Sequence, residues 1–253
     1  MILRRDLVTI PCLSDNYSFA FRSRDRVAVV DVPEAGPVLR ALAERGWHAT
    51  DILLTHHHDD HVQGVAELRD AHGAAVWGAA ADAHRLPPLD HALSPGDEVR
   101  IGAETGRVVD VSGHTVGHIA YLFDGVAFTG DSLMAGGCGR LFEGSAAQMH
   151  AGFRHFADLP GETLVASGHE YTDANLDFAL SLEPDHPALI SRRAEVGRQR
   201  AEGAPSVPSG LDTERRTNPY LRTHEPALKT ATGTTGQPDE ETFAAVRRLK
   251  DAY

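Results

Sequence analysis

Histidine and aspartate side chains are concentrated in one short segment of the chain. Residues 56–61 read His-His-His-Asp-Asp-His, so four histidines and two aspartates occupy six positions. Imidazole and carboxylate groups are typical ligands of zinc, and also of iron and manganese. The alternative, a solvated turn rich in histidine, is disfavoured because histidines are seldom this dense. The segment therefore predicts a metal site.

Alternation along this segment separates its ligands into two sets. In an extended turn alternate residues point the same way, so His56 and His58 can face one ion together. Asp60 and His61 can serve a second ion beside the first. The segment thus offers ligands to a pair of ions.

Three later segments offer the same kinds of side chain, each directly after a glycine and at the end of a predicted strand. Their candidate ligands are His114, Asp131 and His169. A glycine lets the backbone turn sharply, so each side chain can be directed toward a common centre. Taken alone, Asp131 would equally suit a helix N-cap. Four strand ends that all carry histidine or aspartate favour a shared metal site.

Seven ligands of these types suit two divalent ions. The expected ligands are, for the first ion, His56, His58 and His114, and for the second ion, Asp60, His61 and His169. Asp131 can bridge the two ions. Two divalent ions bring four positive charges and two aspartates remove two, which stabilises a bound hydroxide near neutral pH. The pattern predicts a hydrolase that activates water, with Asp131 and Asp60 as its catalytic carboxylates.

The elements that must position these ligands are predicted from apolar runs and turn residues. Strands are predicted over residues 27–30, 51–55, 74–77, 99–101, 107–111, 119–123, 126–129 and 163–166. Helices are predicted over residues 37–45, 62–72, 145–159, 173–182, 188–202 and 240–251. A stretch rich in Gly, Pro, Ser and Thr covers about 203–238. The order predicts a mixed α/β body with a helical tail, and the short, hairpin-spaced strands disfavour a purely parallel sheet.

Composition and charge narrow the classes of protein that fit. The 253 residues are 42% hydrophobic and 24% charged, as in a globular protein of one large domain or one domain with an appendage. A net charge of −12 disfavours nucleic-acid binding, which depends on Lys and Arg.

The sequence also bears on the compartment. No run approaches the ~18 apolar residues that span a membrane, and the charged start shows no signal peptide. Two cysteines, Cys12 and Cys138, form no disulfide framework and fit a reducing compartment. We expect a cytoplasmic protein that binds neither membranes nor nucleic acid, and a monomer as the default.

Several polar residues near the ligands stay open. His57 and Asp59 alternate with ligands and are expected to point away from the metals. His118 suits a supporting role and a place elsewhere equally well. The glycine-rich segment 136–139 lacks the Lys and Ser/Thr of a phosphate loop, so it is predicted to be a flexible loop near the metals. Its Cys138 is expected to be a buried small residue and not a nucleophile.

The last predicted helix ends in a basic cluster of Arg247, Arg248 and Lys250. These cations complement the helix dipole, which is the ordinary explanation. They could also form an anion site, because in an acidic chain a basic cluster beside a metal cleft would attract a carboxylate-bearing substrate. The sequence supports both interpretations equally.

The chain resembles the metallo-β-lactamase superfamily and, within it, the hydroxyacylglutathione hydrolases, or glyoxalase II. The superfamily pattern consists of residues 56–61, Gly113-His114, Gly130-Asp131 and Gly168-His169. The closer resemblance is carried by residues 11–17, 137–144, 168–172, 218–222 and 247–250. These segments extend over essentially the whole chain, tail included.

The resemblance implies a fold and a reaction. The fold is α+β: an αββα sandwich over residues 1–170, followed by a helical substrate-binding domain over 171–253. The reaction is hydrolysis of S-D-lactoylglutathione to D-lactate and glutathione, the second step of methylglyoxal detoxification. The cofactors are two divalent ions, with zinc expected first and iron or manganese as alternatives. The residues implied in holding the glutathione moiety are Arg140, Phe142, Tyr171, Arg247 and Lys250.

The resemblance also implies a mechanism. The thioester carbonyl would dock on the first metal, and a bridging hydroxide oriented by Asp131 would attack it while the metals stabilise the oxyanion. The family often carries Lys and Tyr where this chain has Arg140 and Phe142. Arginine keeps the charge with a different geometry, and phenylalanine lacks the hydroxyl, so a changed affinity is expected and not a changed reaction.

Other functions on the same metal motif stay open at this point. They are lactone hydrolysis, persulfide oxidation at a single iron, and a catalytically inactive metal-binding module; a nuclease is disfavoured by the acidic balance. The segments of the tail that resemble glutathione-binding residues argue against lactones. Metal counting distinguishes the single-iron reaction.

Overall fold

The structure is a computed structural model that describes residues 1–2 and 6–253. Its first sheet has six strands in sequential order: β1 (Leu7–Cys12), β2 (Asn16–Ser23), β3 (Arg26–Val30), β4 (Asp51–Leu53), β5 (Ala75–Ala79) and β6 (His91–Leu93). Strands β1 to β3 are antiparallel, and β3 to β6 are parallel. The expectation against a purely parallel sheet is confirmed.

The second sheet has the strand order β14-β13-β10-β9-β8-β7. Its strands are β7 (Glu98–Ile101), β8 (Glu104–Asp110), β9 (Ile119–Phe123), β10 (Val126–Gly130), β13 (Leu164–Ser167) and β14 (Ser209–Gly210). Strands β10 and β13 are parallel, and their other neighbours are antiparallel. A separate hairpin consists of β11 (Leu133–Met134) and β12 (Gly137–Cys138), and we call residues 132–138 the metal-side hairpin.

Helices cover both sheets and form most of the tail. They are α1 (Ala35–Glu44), α2 (Asp59–Val62), α3 (Val65–His72), α4 (Ala146–Phe153), α5 (Thr172–Leu182), α6 (Pro187–Ala201), α7 (Leu211–Thr217), α8 (Pro226–Ala231) and α9 (Asp239–Ala252). Short 3₁₀ helices occupy Ala80–Asp82, Arg154–Phe156 and Pro219–Leu221. Among the described residues, no helix combines the length and apolar character needed to cross a bilayer.

The two sheets pack face to face around aromatic side chains. The Phe21 ring lies 5.2 Å from that of Phe123 and 5.7 Å from that of Phe128, centroid to centroid. Phe21 belongs to the first sheet and the other two rings to the second. Contacts of this kind bury aromatic area and fix how the sheets are aligned.

Each sheet also packs against helices. Leu42 of α1 and Leu68 of α3 belong to the same buried cluster as the first sheet. Phe153 of α4 and Phe243 of α9 lie 5.3 Å apart in a second cluster that includes residues of the second sheet. The result is the expected αββα sandwich with a helical tail.

The tail shares its core with the second sheet. The stretch 203–238, for which composition predicts no element, contains β14, α7 and α8. Leu211 and Leu228 anchor the two short helices because both side chains are fully buried. Helices this short depend on tertiary packing and carry little local signal, which is why the sequence does not predict them.

Candidate metal centre and cleft

The ligands predicted from sequence lie just beyond the ends of strands from both sheets. His56 and His58 follow β4, and Asp60 and His61 lie in α2, which begins directly after them. The other three ligands each follow the end of a strand of the second sheet: His114 follows β8, Asp131 follows β10 and His169 follows β13. The structure therefore brings all seven to one edge of the sandwich.

Two of the preceding glycines have specific reasons to be glycine. Gly130, before Asp131, has φ 49°, and a Cβ there would lie 2.5 Å from the Thr55 hydroxyl. Gly168, before His169, would place a Cβ 2.5 Å from an Asp131 oxygen. The first glycine permits the turn and the second permits close approach of two ligand segments.

The ligands form two clusters. In the first cluster, His58 Nδ1 lies 3.2 Å from His56 Nε2 and 3.0 Å from His114 Nε2. In the second cluster, His169 Nε2 lies 3.3 Å from His61 Nε2 and 3.4 Å from Asp60 Oδ2. Within each cluster the three ligand atoms all lie within 4.8 Å of one another.

Asp131 lies between the two clusters. Its Oδ2 is 3.4 Å from His114 Nε2 and 3.2 Å from His169 Nε2, and its Oδ1 is 3.4 Å from His61 Nε2. The Oδ1 atom is buried and has no hydrogen-bond partner. A buried carboxylate oxygen without a partner, surrounded by imidazole nitrogens that face one another, fits a site for two divalent cations.

The opposite ring nitrogens of the ligands are held by protein groups. His61 Nδ1 donates to Asp31 and His169 Nδ1 to Asp15, both at 2.8 Å. His114 Nδ1 donates to the Arg140 carbonyl oxygen at 2.7 Å. Such partners fix the tautomer and turn the remaining nitrogen toward the metal.

The sequence pattern does not single out Asp15 and Asp31 as partners of the ligands. Asp15 lies within segment 11–17, which carries part of the family resemblance. Asp31 follows β3 at a strand end, the same signal that identified the ligands, and adopts a left-handed φ of 53°. It binds the Thr55 amide at 2.9 Å and the Thr55 hydroxyl at 2.8 Å.

The structure shows where the polar residues lie whose roles the sequence leaves open. His57 Nδ1 lies 2.8 Å from Asp82 Oδ2, away from both clusters. His118 has a supporting role: its ring stacks on His56 at 4.6 Å, and its Nε2 accepts the backbone N–H of Asp131 at 3.1 Å. Asp59 begins α2 and is exposed.

Electrostatics keep the histidines of the first cluster neutral and Asp131 charged. Burial, reinforced by neighbouring histidines, lowers the pKa values of His56, His58 and His114, so these rings stay neutral and can bind a cation. Burial would raise the pKa of Asp131, but His61 and His169 outweigh it and hold that pKa well below its usual range. The bridging position therefore keeps its negative charge.

A cleft of about 420 Å³ opens above the clusters. It is lined by ligands of both clusters and by every residue implied in holding glutathione: Arg140, Phe142, Tyr171, Arg247 and Lys250. We call these five residues the cleft wall. They come from a loop, from the start of α5 and from α9, and only the tertiary structure brings them together.

The aromatic residues of the cleft wall pack on metal ligands. The Tyr171 ring stacks on that of His169 at 4.7 Å with an interplanar angle of 7°. The Phe142 ring lies 5.2 Å from His114 and 5.7 Å from His58, yet the residue is 61% exposed. Both rings thus border the metal centre and the solvent.

The cations of the cleft wall are partly engaged by protein groups. Arg247 is buried and donates to the Cys138 carbonyl oxygen at 3.0 Å, and its Nε has no partner. Lys250 donates to the Ala174 carbonyl oxygen at 2.9 Å. Arg140 is largely exposed. Arg247 and Lys250 of the basic cluster thus line the cleft, whereas Arg248 does not.

The fold and the two clusters define a metallo-β-lactamase-like protein. The model of the family described as "Metallo-beta-lactamase superfamily" matches residues 14–169, so the chain belongs to that superfamily. ETHE1 from Myxococcus xanthus superposes with a TM-score of 0.67 at 25% identity, covering 96% of this chain and 89% of that one. BLEG-1, a B3 metallo-beta-lactamase, shares the fold with a TM-score of 0.65 at 22% identity, covering 85% of this chain and 99% of that one.

The relatives in sequence narrow the family. The model described as "Hydroxyacylglutathione hydrolase C-terminus" matches residues 170–253. Hydroxyacylglutathione hydrolases from Cereibacter sphaeroides and Ruegeria pomeroyi are 60% and 52% identical, over 98% of this chain and 99% of each relative. The chain belongs to the hydroxyacylglutathione hydrolase family.

Proposed function

We propose that this chain hydrolyses the thioester S-D-lactoylglutathione to D-lactate and glutathione. The observation that carries the proposal is the pair of ligand clusters joined by Asp131 at the base of a cleft with a cationic wall. Relatives at up to 60% identity bear the name of this activity, which supports the same reaction here. Persulfide oxidation at one iron is disfavoured because two clusters are present.

Two divalent ions are the proposed cofactors, with zinc first and iron or manganese as alternatives. The proposed ligands are His56, His58 and His114 for one ion, Asp60, His61 and His169 for the other, and Asp131 for both. When bound, the ions supply positive charge that makes water nucleophilic at neutral pH and polarises the thioester carbonyl.

Asp131 and Asp60 are the proposed catalytic carboxylates. Asp131 carries a buried negative charge between the clusters, and its backbone is held by His118. Asp60 faces the cleft and accepts a hydrogen bond from Asn16 Nδ2 at 3.0 Å. The fixed orientation of both carboxylates lowers the cost of reorganisation during the reaction.

The cleft wall is the proposed glutathione site. Glutathione carries two carboxylates, and Arg140, Arg247 and Lys250 offer cations to them in a chain whose net charge is −12. Tyr171 can flank the peptide, while Phe142 offers an apolar contact without a hydroxyl. The thiolate product is a good leaving group, so no acid residue is required to protonate it.

The remaining assignments are also proposals. We propose a catalytic domain over residues 1–170 and a substrate-binding domain over 171–253, with the tail supplying Tyr171, Arg247 and Lys250. A cytoplasmic location fits the two free, buried cysteines, Cys12 and Cys138, and we propose a monomer as the default. Nucleic acid and membranes are not expected partners.

The test is hydrolysis of S-D-lactoylglutathione by purified protein of known metal content, beside a simple lactone and a thioester without glutathione. The expected result is turnover of the glutathione ester that is much faster than turnover of the other thioester, none of the lactone, and two metals per chain. Absence of turnover by the two-metal protein would rule out the glutathione thioester as substrate. Turnover of the lactone instead would assign a different hydrolase activity.

A further inference from the structure

The metal-side hairpin begins directly after the bridging ligand. Its strands β11 and β12 return the chain from Asp131 to Gly139, whose amide donates to the Ser132 carbonyl oxygen at 3.1 Å. Arg140, the first cleft-wall residue, comes next. The position of the hairpin therefore bears on both a metal ligand and the cleft wall.

Side chains of the tail form hydrogen bonds to consecutive backbone positions of this hairpin. Asn218 Nδ2 donates to the Met134 and Gly137 carbonyl oxygens, both at 2.9 Å. Glu214 Oε2 accepts the Gly136 amide at 2.7 Å.

A third tail residue completes the set. Asn175 Nδ2 of α5 donates to the Ala135 carbonyl oxygen at 3.1 Å. Each of the four residues at the hairpin tip, 134–137, is thus hydrogen bonded to a tail side chain. We call Asn175, Glu214 and Asn218 the hairpin clamp.

The clamp is a buried polar network. Asn218 is 0% exposed, Glu214 1% and Asn175 6%. Polar groups at this depth have no water to replace a lost partner, so a single broken bond leaves an unsatisfied group on each side. The network therefore holds the hairpin in one position.

Asp131 is held from two directions as a result. On one side its backbone amide donates to His118 at 3.1 Å. On the other side its chain continues into a hairpin that the clamp fixes. Neither the cleft wall nor the metal ligands include Asn218 or Glu214, so these two residues have no role in the proposed function so far.

We propose that Asn218 and Glu214 are positioning residues of the metal centre, which hold the metal-side hairpin and thereby keep Asp131 in place between the two ligand clusters. The tail would then act on the metals as well as on the substrate. This inference rests on the proposed two-metal function.

Two substitutions break the clamp at nearly constant volume. Asn218→Asp keeps the oxygen that accepts the Tyr220 amide, but turns a second oxygen toward two carbonyl oxygens. Glu214→Met removes the acceptor of the Gly136 amide. Glu183→Met is the matched control, because Glu183 binds Arg222 in the tail and has no bond to the hairpin.

The primary measurement is release of zinc from zinc-loaded enzyme to excess chelator, followed with a colorimetric indicator. We expect zinc release from both clamp variants to be about tenfold faster. This is the low end of the effect expected when a group that orients a metal ligand is lost. The kcat should fall by a similar factor for lactoylglutathione and for a thioester without glutathione, with KM nearly unchanged. Glu183→Met should lower the melting temperature and leave zinc release and kcat as in the wild type.

Two results would overturn the proposal. One is a lower melting temperature in the clamp variants with wild-type zinc release and kcat, which would make the clamp merely structural. The other is a rise in KM for lactoylglutathione alone, which would assign the hairpin to the cleft wall. If Asn218→Asp does not fold, Glu214→Met decides between the outcomes. Zinc release tests the clamp without any substrate. Turnover of lactoylglutathione by the wild type tests the proposed reaction, so the failure of one proposal is distinguished from the failure of the other.

Discussion

The metal centre and the cleft wall are adjacent, but they are built differently. Five of the seven proposed metal ligands are buried, namely His56, His61, His114, Asp131 and His169. In the cleft wall only Arg247 is buried, while Phe142 is 61% and Tyr171 41% exposed. The metal centre is therefore fixed by its surroundings, whereas most of the wall is free to adapt.

This difference explains where the chain departs from the family pattern. The departures that the resemblance implies are Arg140 and Phe142, and both lie in exposed parts of the wall. An exposed side chain can change without leaving a buried group unpaired, whereas a change at a buried ligand would leave one. Affinity can thus vary while the hydrolytic centre stays the same.

Removal of the bridging carboxylate should have the largest effect. Asp131→Ala takes away a side chain that lies within 3.4 Å of ligands from both clusters. We expect metal content to fall below two per chain and kcat/KM to fall by about a thousandfold, since several kcal/mol of charge stabilisation are lost. Elemental analysis with steady-state kinetics tests this, and two retained metals with normal kcat would refute the bridging role.

Loss of a carboxylate behind a ligand should rank next. Asp31→Asn weakens the acceptor of His61 Nδ1 and should lower metal affinity about 10-fold to 100-fold. Competition with a chelator of known affinity measures the change. Asp90→Asn, at a surface ion pair with Arg69, is the control and should bind metal as the wild type does. Equal affinities in the two variants would show that the metal centre does not need its outer support.

Substitution in the cleft wall should change substrate affinity and spare the metals. Lys250→Gln should raise KM for lactoylglutathione about tenfold, equivalent to about 1.4 kcal/mol, with little change in kcat. Turnover of a thioester without glutathione should not change. Arg248→Gln is the matched control, because Arg248 lies two residues earlier on the same helix and is exposed. A parallel loss of metal in Lys250→Gln would contradict the separation of wall and centre.

Restoring the family's hydroxyl should give a smaller effect. Phe142→Tyr adds one hydrogen-bonding group at an exposed position, and we expect a gain of about 0.5 kcal/mol in substrate binding, the low end for a hydrogen bond. The measurement is KM and product inhibition by glutathione, with the melting temperature as a control. No change in either constant would mean that the substrate does not approach this ring.

The smallest effect is expected from thiol reagents. Burial raises the pKa of Cys138 to about 11 even though Arg247 opposes the shift, and burial raises the pKa of Cys12 to about 11. Both groups therefore remain thiols through the neutral range and gain reactivity only as the pH approaches those values. Iodoacetamide at neutral pH should leave activity intact, whereas both cysteines should react in urea. Rapid inactivation of the native enzyme by iodoacetamide would show that Cys138 is accessible to solvent, contrary to this prediction.

The sequence by itself determined the types of ligand and their local arrangement. Segment 56–61 offers four of the seven ligand candidates at a local spacing, and strand-end glycines mark His114, Asp131 and His169. The same local logic predicted the strands that carry them. Local patterns can identify such residues because metal ligation demands particular side chains at particular spacings.

Tertiary structure alone decided which distant groups support the centre. The pairings of Asp15 with His169 and of Asn218 with Met134 join residues 154 and 84 positions apart. An aspartate or asparagine in a loop has many possible partners, and no local pattern selects one. The choice is made when the sheets and the tail pack, because only then do these polar groups come within reach of their distant partners.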